Sequence, residues 1–136
     1  MAGERTITGS CHCGAVHWVF DGPLESATAC NCTVCRRYGT LWAYGYEGEE
    51  IETTGATQAY ARGSGTIGFH FCARCGNVGW WRALSAGEDG RRRIAVNLRL
   101  ADDPDQVAPL LIDHFDGLEK FDDLPRDGRC VKDLWF

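Results

Sequence analysis

The chain has 136 residues, 44% of them hydrophobic, which suits one domain with a moderate core. Its formal net charge of −5 argues against nucleic acid as a partner, and no segment approaches the length of a membrane span. Residues 1–10 lack the apolar stretch of a signal peptide, so the expected compartment is the reducing cytoplasm. There, eight cysteines read as metal or catalytic groups rather than a disulfide framework.

Taken in order, the chain reads as short strands broken by glycine. Cys11-His12-Cys13-Gly14 comes first. In an extended stretch two cysteines at this spacing share a face, because the strand period is two. Residues 15–20 alternate, with Val16, Trp18 and Phe20 on one face and His17 and Val19 on the other. Cys30-Asn31-Cys32-Thr33-Val34-Cys35 follows, with a turn or two of helix over 33–38 that carries Arg36 and Arg37. Residues 41–46 form an aromatic strand. Residues 58–61 and 66–71 flank Gly63-Ser64-Gly65, a hairpin pattern, and lead into the knuckle Cys72-Ala73-Arg74-Cys75-Gly76. Further strands are expected at 78–82, 93–98 and 110–115. No window carries a long 3.6-residue period, so the fold class is all-β, with metal replacing part of the core that a small sheet protein lacks.

Close thiolate pairs on turns are what Zn²⁺ requires, and a sulfur-only donor set selects zinc, Cu(I) or iron–sulfur over hard cations. The knuckle supplies Cys72 and Cys75 and needs a second pair; Cys11 and Cys13 are the natural partner. That set of four is a closed, structural site. Cys30, Cys32 and Cys35 are three, which leaves a position open for chemistry unless a distant fourth ligand, such as Cys130 or a histidine, completes the set. Arg36 and Arg37 are the nearest cations in sequence and would receive a substrate carboxylate in bidentate fashion, while the helix start adds its dipole.

The three clusters in this order, within Gly9-Ser10-Cys11-His12-Cys13-Gly14-Ala15-Val16, Cys30-Asn31-Cys32-Thr33-Val34-Cys35-Arg36-Arg37 and Phe71-Cys72-Ala73-Arg74-Cys75-Gly76, resemble the glutathione-dependent formaldehyde-activating enzyme family, which also contains centromere protein V. Asn97-Leu98-Arg99-Leu100 and Phe121-Asp122-Asp123-Leu124-Pro125 extend the likeness over nearly the whole chain. The resemblance implies an all-β, Mss4-like fold of several small coiled antiparallel sheets. It implies a structural zinc on Cys11, Cys13, Cys72 and Cys75, and a catalytic zinc on Cys30, Cys32 and Cys35. It also implies condensation of formaldehyde with glutathione to S-(hydroxymethyl)glutathione. No distinct motif for a glutathione pocket is present.

Other signals carry less. Gly63-Ser64-Gly65-Thr66-Ile67-Gly68 fits G-x-G-x-x-G, but a strand follows it where a dinucleotide site needs a helix. Asn31-Cys32-Thr33 matches a glycosylation sequon in a chain expected to stay inside the cell. Arg91-Arg92-Arg93 reads as a solvated turn, and Asp102-Asp103 and Asp122-Asp123 as exposed turns. His12, His17, His70 and His114 read as structural or supporting residues. Cys130 reads as a free thiol. Trp42, Trp80, Trp81 and Trp135 are core candidates, with an apolar wall beside the open site as their alternative role. Two functions follow. One is a zinc-dependent carbon–sulfur lyase acting on adducts of glutathione, or a related thiol, with a small aldehyde, with water the default proton donor. The other is a non-catalytic module: a thiol carrier, or a zinc scaffold for a protein partner.

Overall fold

A computed structural model describes residues 4–61 and 65–134. Gly63 and Ser64 of the expected hairpin turn and of the G-x-G-x-x-G match, and Trp135, lie outside the described residues. In chain order the strands are β1 (Glu4–Ser10), β2 (His17–Pro23), β3 (Ser26–Cys30), β4 (Trp42–Tyr46), β5 (Ile51–Thr54), β6 (Thr57–Tyr60), β7 (Ile67–Cys72), β8 (Val78–Ala83), β9 (Arg93–Asn97), β10 (Leu111–Asp116) and β11 (Asp122–Leu124). The one α-helical turn among the described residues, α1 (Cys35–Tyr38), follows β3. The all-β expectation holds, and among the described residues no helix is long and apolar enough to cross a membrane.

The strands make two sheets. The smaller is antiparallel in the order β1-β2-β5; the larger runs β11-β10-β3-β4-β9-β8-β7-β6. All pairs in the larger sheet are antiparallel except β10 with β3, which run parallel from Leu111 opposite Ser26 to Phe115 opposite Cys30. That parallel pair departs from a purely antiparallel scheme. The alternation over 15–20 is realised: Val16, Trp18 and Phe20 are buried, while His17 and Val19 face outward.

Period-two alternation gives the large sheet two different faces. Ala43, Val96 and Trp80 are consecutive cross-strand partners on one face and pack with Ile7, Trp18, Phe20 and Ile51 of the small sheet. Cys11 and Cys72 belong to this core. The next row, Tyr44, Ala95, Trp81 and Phe69, points to the other face. There Trp42, Phe69, Trp81 and Ala95 form a second apolar cluster with Cys32 and Cys35. Each cysteine set therefore sits on its own face of the large sheet.

Candidate metal centres and the cavity beside them

Cys11 and Cys13 follow the end of β1, Cys72 ends β7, and Cys75 lies in the turn before β8. Their four sulfurs lie within 4.8 Å of one another, with Cys11 to Cys13 at 3.7 Å and Cys13 to Cys72 at 3.5 Å. A zinc tetrahedron with bonds of about 2.3 Å spaces its sulfurs by about 3.8 Å, so the donor set fits that ion. Gly14 and Gly76, at φ 82° and 81°, let the two turns close. Backbone N–H groups then reach the sulfurs: Val16 donates to Cys11 Sγ at 3.2 Å and Arg74 to Cys72 Sγ at 3.4 Å. Such donors favour thiolate. The N–H groups of Asn77 and Cys13 bring Cys75 down to about 6, and those of Cys75 and Arg74 lower Cys72. Asn77 Oδ1 also accepts the His12 N–H at 2.8 Å, which joins the two halves of the site.

The second set is Cys30 at the end of β3, Cys32 in the loop, and Cys35 at the start of α1. The three sulfurs lie within 4.8 Å of one another, and among the described residues no fourth His, Cys, Asp or Glu shares that reach. Cys130 belongs to neither set and bridges by its backbone to Leu111. All eight cysteines are free thiols. The Cys35 N–H donates to Cys32 Sγ at 3.3 Å. A hydrogen bond with the Cys35 thiol outweighs burial and brings Cys30 to about 6; the same bond, with burial, pushes Cys35 far up. The trio thus favours one thiolate even with no ion bound.

Two elements distant in sequence complete this site. The β10–β11 loop closes over it, and a Cβ on Gly117 would stand 2.6 Å from Cys30 Sγ and 3.1 Å from Cys32 Cβ, so only glycine fits. Buried Asp116 holds the loop by accepting the N–H groups of Leu118, Glu119 and Lys120 at 3.1–3.3 Å. Asn31 Oδ1 accepts the Leu118 N–H as well, at 3.0 Å. The other contribution is a cavity of about 920 Å³ whose wall includes Cys30, Cys32 and Cys35. Its floor is the second face of the large sheet. Small, fully buried Ala95 lets the rings of Tyr44 and Trp81 meet above it, with centroids 5.9 Å apart.

The profile of the family described as glutathione-dependent formaldehyde-activating enzyme matches residues 6–115. The chain belongs to that family. A crystal structure of a Rhodobacter sphaeroides protein, solved as a structural-genomics target, is similar with a TM-score of 0.59 and 22% identity, covering 77% of this chain and 98% of that one. At that identity the likeness speaks for the fold, which is the all-β, Mss4-like one. No curated protein matches the chain.

In this member of the glutathione-dependent formaldehyde-activating family the two cysteine sets are grouped as expected, but the two arginines are not at the cavity. Arg36 and Arg37 are exposed on α1 and absent from the cavity wall, and Arg37 turns back to donate to the Thr33 carbonyl at 2.8 Å. Helix α1 starts at Cys35 rather than near Thr33 and has only four residues, so its dipole is slight. Arg93, read in the sequence as part of a solvated turn, is the one Lys or Arg of the wall among the described residues, with its guanidinium 5.8 Å from the Trp81 ring centroid. The available signal was its position two before Ala95, on the same face of β9. Of the histidines, His12 is exposed, His17 meets Ser10, His70 bonds Thr57 and stacks on Trp80, and His114 lines the cavity and faces Asp127. Asp116 and Gly117 gave no sequence signal.

Proposed function

We propose that the chain is a zinc-dependent carbon–sulfur lyase of the S-(hydroxymethyl)glutathione synthase type, acting on adducts of glutathione or a related thiol with an aldehyde. The observation that carries this reading is a trio of free thiols, one short of the four of a closed site, set in the wall of a large cavity. A zinc ion held by Cys30, Cys32 and Cys35 would supply positive charge that favours the thiolate of an incoming thiol at neutral pH. The set of Cys11, Cys13, Cys72 and Cys75 would hold a second, structural zinc.

In the forward direction the thiol gives up its proton to solvent, its sulfur bonds to the aldehyde carbon, the carbonyl π pair moves to oxygen, and that oxygen takes a proton; the reverse releases thiol and aldehyde. Arg93 takes the role first expected of Arg36 and Arg37, binding a substrate carboxylate from the cavity wall. Tyr44 is in the cavity wall, but burial pushes its phenol up to about 12, against the pull of a hydrogen bond with Thr28, which makes it a weak acid for this step, so water is the proton donor. A reducing cytoplasm is the compartment that would keep these thiols free.

The test is metal analysis, a glutathione titration, and the rate of adduct formation from glutathione and formaldehyde on zinc-replete protein. Saturable acceleration over the spontaneous reaction is expected. Stoichiometric glutathione binding with no acceleration would make the protein a carrier. No thiol binding at all would leave a zinc scaffold for a protein partner.

A further inference from the structure

The β10–β11 loop ends in a residue that folding alone does not explain. Phe121 has φ 54°, the one non-glycine residue with positive φ among those described. Such a backbone is strained for a bulky side chain, and strain of this kind points toward a functional constraint. The ring gains little from the fold in return, being 77% exposed. It stands edge-on to Phe115, with centroids 4.9 Å apart and planes at 83°, and both rings line the cavity. Leu124, also exposed, lines it too. The loop is not loosely placed: Asp116, Asn31 and the close approach of Gly117 to Cys30 lock it against the three-cysteine site.

The rest of the cavity agrees with that exposed ring. Its volume of about 920 Å³ is at the upper end of the roughly 300–1,000 Å³ of small-molecule sites. A formaldehyde adduct would add only one carbon and one oxygen to the thiol. Trp42, Tyr44, Phe69 and Trp81 line the same cavity as Phe115 and Phe121. Charge is sparse: Glu25, Asp113 and Asp123 stand against Arg93, and Asp113 is already engaged by Arg126 and Ser26. The wall offers one carboxylate anchor and an extensive apolar surface.

We infer that the cavity accepts the adduct of a thiol with an aldehyde bearing an apolar ring, with that ring covered by Phe115 and Phe121 and the thiol's carboxylate on Arg93. This rests on the reading of the cavity as the adduct site. The chemistry is the same balanced addition: one S–C bond forms, the carbonyl oxygen becomes a hydroxyl, and nothing is oxidised or reduced.

Stable thioethers test the binding without turnover. S-benzylglutathione and S-methylglutathione are titrated into the zinc-replete protein by quenching of tryptophan fluorescence, since Trp42 and Trp81 are in the wall. N-acetyl-S-benzylcysteine and N-acetyl-S-methylcysteine form a second pair. The benzyl compound should bind at least about tenfold more tightly than the methyl compound, as burial of an aromatic ring demands. Phe121→Gly should reduce that ratio severalfold while leaving thermal stability unchanged or raised, because glycine accepts φ 54° without strain. Equal binding of benzyl and methyl compounds in both pairs, or no binding by any of the four, would overturn the inference. A benzyl preference in the cysteine pair alone would uphold the ring subsite while removing glutathione as the thiol.

Discussion

At the residue scale, two positions bear most directly on the three-cysteine site. Gly117 is the first. A methyl group there would lie 2.6 Å from Cys30 Sγ, inside any contact distance, so either the sulfur or the loop must move. Gly117→Ala should therefore lose the metal of Cys30, Cys32 and Cys35 while keeping that of the other set, with cooperative unfolding retained. Metal analysis beside a thermal melt checks this; full metal content in a well-folded variant would show that the loop yields instead. Arg93 is the second. Removing a charged hydrogen-bond partner costs about 1.5–3 kcal/mol, so Arg93→Ala should weaken glutathione roughly tenfold or more. A neutral thiol such as 2-mercaptoethanol should be little affected. Arg36→Ala and Arg37→Ala should leave both thiols near wild type, since neither side chain reaches the wall. Titration calorimetry on the three variants separates these outcomes.

At the element scale, the parallel pairing of β10 with β3 does most to assemble the site. It sets Phe115 opposite Cys30, so the loop after β10 emerges over the cluster. Strand β3, Ser26-Ala27-Thr28-Ala29-Cys30, was not anticipated because its side chains are small and carry no hydrophobic period; its partners on both sides hold it extended. The same holds for β11, whose three residues are all exposed. The loop between β10 and β11 depends on one carboxylate. Backbone N–H groups, Glu119 first and then Lys120, hold Asp116 below the usual carboxylate range, so it stays charged at neutral pH and keeps all three bonds. Asp116→Ala should raise the amide hydrogen-exchange rates of residues 118–120 about tenfold or more, without changing those of β8 and β9. Uniform acceleration across the sheet would mean that Asp116 supports the fold and not the loop alone.

At the scale of the whole molecule, a metal on the four-cysteine set would staple the two sheets together. Cys13 and Cys72, 59 positions apart, carry the end of β1 to the end of β7. Metal binding there is folding free energy, because the site does not exist in the unfolded chain. Cys72→Ser should lose its cooperative unfolding transition. In the wild type a chelator should remove the metal of the three-cysteine site first and leave the fold intact, as differential metal release followed by circular dichroism would report. Simultaneous loss of both metals with unfolding would contradict the division into a closed and an open site. The sequence by itself determined the all-β class, the inward face of Val16, Trp18 and Phe20, and the three tight cysteine clusters, because strand period and ligand spacing are local properties; spacing alone left open which pair joins which, and the fold brings Cys11 and Cys13 beside Cys72 and Cys75. Only the tertiary structure decided that Arg93 lies in the cavity wall while Arg36 and Arg37 do not, that the loop of Asp116 and Gly117 packs on the three-cysteine set, and that Phe121 lines the same cavity. These depend on strand order and on a parallel pairing between segments 85 positions apart, such as Ala27 and Ile112, and no local pattern encodes that distance.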